Sequence, residues 1–453
     1  MKQLLFASCL IFGFAQGELF AAEGVERISK EVSSRVGPEI GGLGGGSGAE
    51  IPRLLGEPLT ADSAVRIALL NNAALQSLFE SWRVSRADFD KTRLPERPVF
   101  EASVRFPERD EPYDEVEFTV EQDFLSLALF PLKSGLAGAE LHKAELLIAR
   151  EALDFAFGVK TAFYEAQGEA AMLAMLKRVL EQSEAAVELA KRQFEAGNIS
   201  ELKFAAEQSV YQNTKAEYLR TQADLDEKSE ELNRLLGFGG MNPPWSIKQE
   251  LAEIPSDEPA YEKILPSAML RRLDLLFARK NVEALKHELT LSRFGVLGSP
   301  EAGVSTEKDV EGERVTGPVL RAEIPLYDLG QTEISHADAR LKEAEFSLKA
   351  LENDARSEIR QKVNRLSSAR DLAGIYKNSV IPIKEKIVSE SLKHQNYMLI
   401  GNYELIRAKQ EEILARREYI GILKEYWIAR SDLEKATSSK LPVETAQHGE
   451  NHG

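Results

Sequence analysis

The residues best able to do chemistry are sparse: six histidines and one cysteine in 453 residues. His142, His287, His336 and His394 fall on predicted helices with no acidic or thiol partner at ligand spacing, so they read as surface or packing residues. His448 and His452 stand four apart and would hold a metal weakly if helical, but a tail containing Gly449 and Gly453 reads as disordered. Cys9 lies inside an N-terminal targeting segment. Met1-Lys2 is its basic end, Leu4 to Phe14 its apolar core, and Ala15-Gln16-Gly17 or Leu19-Phe20-Ala21 its small-residue cleavage site. Cleavage leaves no thiol, which removes disulfides and cysteine metal sites. Phe6-Ala7-Ser8-Cys9 faintly resembles a lipoprotein site, but it comes early and has Phe where Leu is usual. HExxH, P-loop, GxSxG and dinucleotide patterns are absent, so the chain reads as no enzyme, with no cofactor and no metal site. A net charge of -16 speaks against nucleic acid as a partner, because phosphate binding needs clustered Lys and Arg. No window has the roughly 18 consecutive apolar residues of a membrane helix.

With no reaction to position, the informative features are the elements. Between a glycine-rich stretch, Pro38 to Ile51, and the polar tail, the chain repeats itself at an offset of roughly 200 residues. Ala68, Leu75 and Leu141 find counterparts in Ala268, Leu275 and Leu341. Each copy runs short helix, alternating hairpin, very long helix, Gly-Asn turn, shorter helix. In the first long helix Val159, Ala162, Ala166, Leu173, Leu176, Leu180, Val187, Ala190 and Phe194 keep steps of three and four, interrupted by Glu169 and Ser183. Ile334, Ala337, Leu341, Ala344, Leu348, Leu351 and Ala355 do the same in the second. Such a pattern buries one seam against a partner helix, as in a coiled coil. A helix from Ser134 to Ala196 would be on the order of 95 Å long. Pro382 is expected to kink or break the second long helix.

Two alternating segments precede each long helix. Phe100, Ala102, Val104 and Phe106 share one face of the first, and Glu101, Ser103 and Arg105 the other. In the second, Val116, Phe118 and Val120 oppose Glu117, Thr119 and Glu121. The later pair, Ala302 to Thr306 and Val315 to Ile324, is interrupted by Gly317-Pro318. The charged turns run from Pro107 to Pro112 and from Lys308 to Glu313. Alternation puts one face against apolar material and the other against water. Four strands cannot close a barrel alone and lipid forbids open edges, so a membrane reading demands several copies of the chain.

This order resembles the TolC-like outer membrane efflux family over nearly all of the mature chain. Ile324-Pro325-Leu326-Tyr327-Asp328-Leu329-Gly330 is similar to that family's apolar-Pro-Leu-Phe-Asp-x-Gly motif. Arg192 to Ser200 resembles its Arg-Tyr-x-x-Gly-x-x-Ser tip, and Tyr397 to Gly401 followed by Glu404 to Gln410 resembles the second tip. The resemblance implies a mainly α fold with a β-barrel portion: a duplicated unit, a long coiled-coil α-helical barrel, and a trimeric 12-stranded outer-membrane β-barrel with four strands per protomer. It implies a homotrimer set in outer-membrane lipid, with its helical tube in the periplasm. The partners it implies are a periplasmic adaptor (membrane fusion) protein and an inner-membrane pump. Gln122 to Ser126 and Phe130 to Lys133 depart from the usual first-copy motif and look like a branch associated with metal-ion efflux. The alternative is a soluble periplasmic coiled-coil adaptor or scaffold.

The expected boundaries are a signal peptide at 1–22, a flexible segment at 23–57, repeats at 58–237 and 258–437, a linker at 238–257 and a disordered tail at 438–453. At the turns glycine is expected to supply a positive φ. Gly197, Asn198, Ile199 and Ser200, with Gly401, Asn402 and Tyr403, are the adaptor-docking residues that the resemblance implies. Glu404 falls where relatives carry an acidic ring narrowing the periplasmic aperture, and Arg407 stands where they carry a second acid. An anionic gate, a Glu404–Arg407 pair between subunits and a plain solvated charge are the readings these residues leave open.

Overall fold

The computed structural model describes residues 27–37, 50–92, 94, 97–106, 114–239, 245–255, 258–295, 300–308, 312–321, 328–397 and 399–441. The signal segment with Cys9, the glycine run at 38–49, both hairpin turns in their central parts, 322–327 and the tail from 442 lie outside the described residues. The chain divides into two compact units. One comprises Met1–Leu78, Ala149–Arg272 and Asp354–Gly453; the other comprises Phe79–Ile148 and Leu273–Asn353.

The duplication is visible element by element. After α1 (residues 27–36) and α2 (Glu50–Leu55), the first copy runs α3 (Ala61–Asn71), α4 (Ala73–Thr92), β1 (Val99–Arg105), β2 (Glu115–Asp123), α5 (Phe124–Ala128), α6 (Phe130–Glu195) and α7 (Glu201–Leu236). The second runs α8 (Tyr261–Arg271), α9 (Leu273–Gly295), β3 (Glu301–Lys308), β4 (Arg314–Arg321), α10 (Gln331–Ile375), a π turn (Tyr376–Val380), α11 (Ile381–Asn396) and α12 (Asn402–Thr437). The fold class read from the sequence is borne out. At 66 residues α6 is far longer than a globular helix. Among the described residues no helix is long and apolar enough to cross a membrane.

In the first unit the two copies lock by the same device. The break between α3 and α4 is Asn72, whose Nδ2 donates to the Leu235 carbonyl at 3.0 Å while its Oδ1 accepts from Ala74 N at 2.9 Å. The break after α8 is Arg272, whose Nη1 donates to the Ala436 carbonyl at 2.9 Å and to Glu358 at 2.7 Å. Each break thus satisfies carbonyls that the last turn of α7 or α12 leaves without an intrahelical partner. Gly237 closes α7 in the left-handed region at φ 80, and Ser438 closes α12 at φ 51. The core around α8, α10 and α12 gathers Ile264, Ala268, Ile359, Leu366, Ala369, Tyr426, Ala429, Leu433 and Leu441.

Two expectations are corrected and two are made more specific. The segment read as flexible at 23–57 includes α1, with Ile28, Val32 and Val36 buried and Arg35 donating to the Ser438 carbonyl at 3.2 Å. The tail reading fails at its start, because Lys440 N donates to the Arg35 carbonyl at 2.8 Å and Leu441 is buried. The stretch read as a linker is also anchored. Trp245 Nε1 donates to Asn233 at 2.7 Å, and Gln167 reaches the Glu250 carbonyl at 3.1 Å. Pro382 interrupts the α-helix as expected, and the interruption takes the form of a π turn over Tyr376–Val380 from which α11 resumes at once. The π turn widens the backbone so that Ile381 N bonds five residues back to Tyr376 O, and the proline ring sits in the first turn of α11.

Candidate functional site

Three places carry what the sequence singled out: the sheet, the two turns and the start of α12. The sheet belongs to the second unit. Its order is β1-β2-β3-β4, every pair antiparallel, so β1 and β4 are edges. Register fixes the faces. Phe100, Val120, Val304 and Pro318 lie in one row, beside Ala102, Phe118, Thr306 and Thr316. Between these rows, on the opposite face, lie Glu101, Thr119, Ser305 and Gly317. In a water-soluble sheet the apolar face is covered. Here it is open, with Phe100 65%, Val304 56% and Leu320 84% exposed, whereas Thr119 and Glu121 on the polar face are 7% and 3% exposed. Soluble proteins rarely leave a contiguous apolar face of this kind in water, so it marks a surface that something else covers.

The polar face is tied across strands. Arg321 Nη1 lies 2.8 Å from Glu121 Oε2 and 3.4 Å from Glu301 Oε2, and Thr119 Oγ1 meets Ser305 Oγ at 3.1 Å. Gly303 is required beside Glu121, because a Cβ there would stand 2.1 Å from the Val120 carbonyl oxygen. The strand-to-helix passages explain their motifs. Asp123 Oδ1 caps α5 by accepting from Ser126 N at 2.9 Å, and Asp328 Oδ1 caps α10 by accepting from Gln331 N at 2.9 Å. The Thr332 hydroxyl and nearby backbone amides hold the Asp328 carboxyl below the usual carboxylate range. Gly330 follows at φ 78, a conformation only glycine adopts without strain.

The turns lie in the first unit, and they differ. Gly197 has φ 73; its N–H donates to Phe194 O at 2.9 Å, and Asn198 N donates to Gln193 O at 2.8 Å. Ser200 caps α7 by accepting from Lys203 N at 3.4 Å, and Phe194 stacks on Phe204 at 5.3 Å. Gly401 instead is extended, φ -78 and ψ 158, as the N-cap of α12. The expectation of a positive φ therefore holds at Gly197 and fails at Gly401. A groove of about 410 Å³ lies beside these turns, lined by Leu189, Ile199, Leu392, Leu405 and Ile406 among others. The side chains of Asn402 and Tyr403 are outside the described residues.

Glu404 and Arg407 do not meet within the chain. Glu404 Oε2 accepts from Gly401 N at 3.3 Å, closing the helix start. Arg407 Nε donates to Glu411 Oε1 at 3.2 Å, and Lys384 Nζ reaches the other Glu411 oxygen at 2.8 Å. Lys384 first, then Arg407, holds the Glu411 carboxyl below its usual range. Sequence reasoning missed a buried ionic set in the first unit. Lys160 pairs with Glu434 at 3.0 Å, both nearly inaccessible, while Glu258 accepts from Arg430 and Tyr426. Burial first, then Glu258, pushes the Tyr426 hydroxyl well up, so it remains a donor. The signal available was a lysine in the middle of an apolar helical stretch, Phe157-Gly158-Val159-Lys160. Among the described residues no His, Cys, Asp and Glu cluster could hold a metal ion.

Residues 132–238 match the family described as outer membrane efflux protein. No curated protein matches the chain in sequence. Solved structures match over almost the whole length. A membrane protein from Pseudomonas aeruginosa superposes with a TM-score of 0.69 at 18% identity, covering 90% of this chain and 95% of that one. CusC, described in terms of transmembrane channel formation, gives 0.68 at 15% identity, covering 89% and 97%. The Campylobacter jejuni CmeC outer membrane channel gives 0.69 at 14% identity, covering 85% and 87%. None of these is a soluble adaptor or scaffold. By fold the chain is similar to outer-membrane channels, and residues 132–238 carry the sequence pattern of the outer membrane efflux proteins.

Proposed function

We propose that three copies of this chain form the outer-membrane channel of a tripartite efflux or export system. The observation that carries the reading is the inverted sheet: the large apolar side chains of one face are exposed, while Thr119 and Glu121 at the middle of the polar face are buried. An apolar outer face belongs in hydrocarbon, where a sheet must also have no free edge. Four strands leave two edges, and three copies bring twelve, an even number that closes antiparallel throughout. Large apolar side chains on the periplasmic helices also lack cover in a single chain, among them Leu372, Ile375, Ile383 and Leu414. They are the surface that neighbouring copies would bury.

The channel takes no energy of its own. A periplasmic adaptor would dock at the turns, Gly197 to Ser200 and Gly401 to Tyr403, and couple the tube to an inner-membrane pump. The groove between Ile199 and Leu405 supports this placing, since it offers apolar area beside two exposed helix ends. Glu404 and Arg407 stand one turn beyond the second tip, where three copies would bring their charges near the tube axis. The experiment is purification in detergent followed by insertion into planar bilayers. A stable trimer that conducts in discrete steps is the expected result. A monomer recovered from washed periplasm without detergent, silent in bilayers, would remove the channel reading and leave the soluble scaffold.

A further inference from the structure

The two free edges of the sheet carry opposite charges with hydrogen-bonding capacity to spare. On β1, Glu101 lies on the polar face, exposed, and makes no hydrogen bond or ion pair among the described residues. On β4, Arg321 reaches Glu121 and Glu301 through Nη1 alone, and its side chain is 57% exposed. Its guanidinium retains donors for a further carboxylate. Within one protomer the two residues are on opposite edges, separated by β2 and β3.

Barrel geometry determines what β4 meets. The flat register runs Arg321–Glu301 and Glu301–Asp123, and the β1–β2 pairing Val99–Glu121 puts Asp123 level with residue 97. Four strands about 4.8 Å apart span about 19 Å of circumference, so a tilt of about 35–45° displaces the register by about four to six residues per protomer. The displacement must be even, or the apolar face of one copy would continue into the polar face of the next. Moved one way, Arg321 falls opposite Lys91 or one residue past Thr92, at the end of α4 and well before β1 begins at Val99. Moved the other way, Arg321 falls opposite Glu101 for four residues, or opposite Ser103 for six, with Glu101 then one diagonal step away. Both lie on the polar face, within reach of an arginine.

Closure by β4 of one copy against β1 of the next follows from the channel reading; we infer that Arg321 and the neighbouring copy's Glu101 form an ion pair tying each seam on the lumenal side. Pro318 removes one backbone donor from β4, which leaves more of the seam to side chains. This assignment rests on the channel reading and specifies its closure.

The test uses the full chain in detergent. Glu101→Arg should shift the monomer–trimer equilibrium toward monomer by about fivefold per seam, Arg321→Glu by more because its carboxylate also faces Glu121 and Glu301, and the double exchange should recover about fivefold per seam relative to Arg321→Glu alone. Val319→Cys combined in turn with Ser103→Cys and Arg105→Cys should give an intersubunit disulfide from one pair, reporting a displacement of four or six residues. Trimers that conduct, yet show neither rescue by the double exchange nor a cross-link from either pair, overturn the seam and leave the channel standing. A cross-link without charge rescue overturns the ion pair. Failure of the unaltered chain to form trimers overturns the channel reading instead.

Discussion

At the scale of single residues, the two tip glycines are chemically identical in the sequence and different in the structure. Gly197 occupies the left-handed region, where any other residue is strained, although a Cβ would meet nothing within 4 Å. Gly401 is an extended N-cap in open space. Gly197→Ala should therefore cost about 1 kcal/mol of stability through backbone conformation alone. Gly401→Ala should cost about half of that or less, since glycine caps only moderately well. Chemical denaturation of the two variants in detergent checks the order, and equal losses would contradict it. Sequence reading located both turns because glycine followed by asparagine punctuates a helical pattern. It could not tell their backbone angles apart, because these depend on which helix end donates the closing bonds. The Lys160–Glu434 pair was illegible for a related reason: the partners are 274 residues apart and meet only once both copies have folded.

At the scale of elements, the long helices, the alternating strands and the repeat order were legible because each has a period that side chains enforce locally. The π turn was not. A proline announces that a helix is disturbed but does not say whether the chain breaks, kinks or widens, and neighbouring packing selects among these. Here the helix continues, and the widened turn bonds Ile381 N to Tyr376 O. Pro382→Ala should let the α-helical ladder run through and slow amide exchange at 376–381 by about tenfold or more, given a proline penalty of about 3 kcal/mol in helix interiors. Unchanged exchange would mean that tertiary packing, and not the proline, holds the turn open. The ordered α1 and the anchored stretch at 245–250 were missed because both lack periodic length. Their order comes from docking on helices remote in sequence.

At the scale of the whole molecule, composition said only that the chain avoids nucleic acid and lacks membrane helices. The decisive property is which face of a four-stranded sheet is left open, and alternation alone never reveals that. The same Phe100-Glu101-Ala102-Ser103 pattern would suit a soluble sandwich with its apolar side inward. Burial of Glu121 beside exposed Leu320 makes the distinction. Spin labels placed singly at Leu320 and at Ser305, in trimers reconstituted into lipid vesicles, test this most directly. The account predicts that the Leu320 label relaxes with oxygen dissolved in the bilayer, while the Ser305 label responds to a water-soluble nickel chelate. Two labels equally open to the chelate would mean that the apolar face meets water, and no membrane barrel would remain.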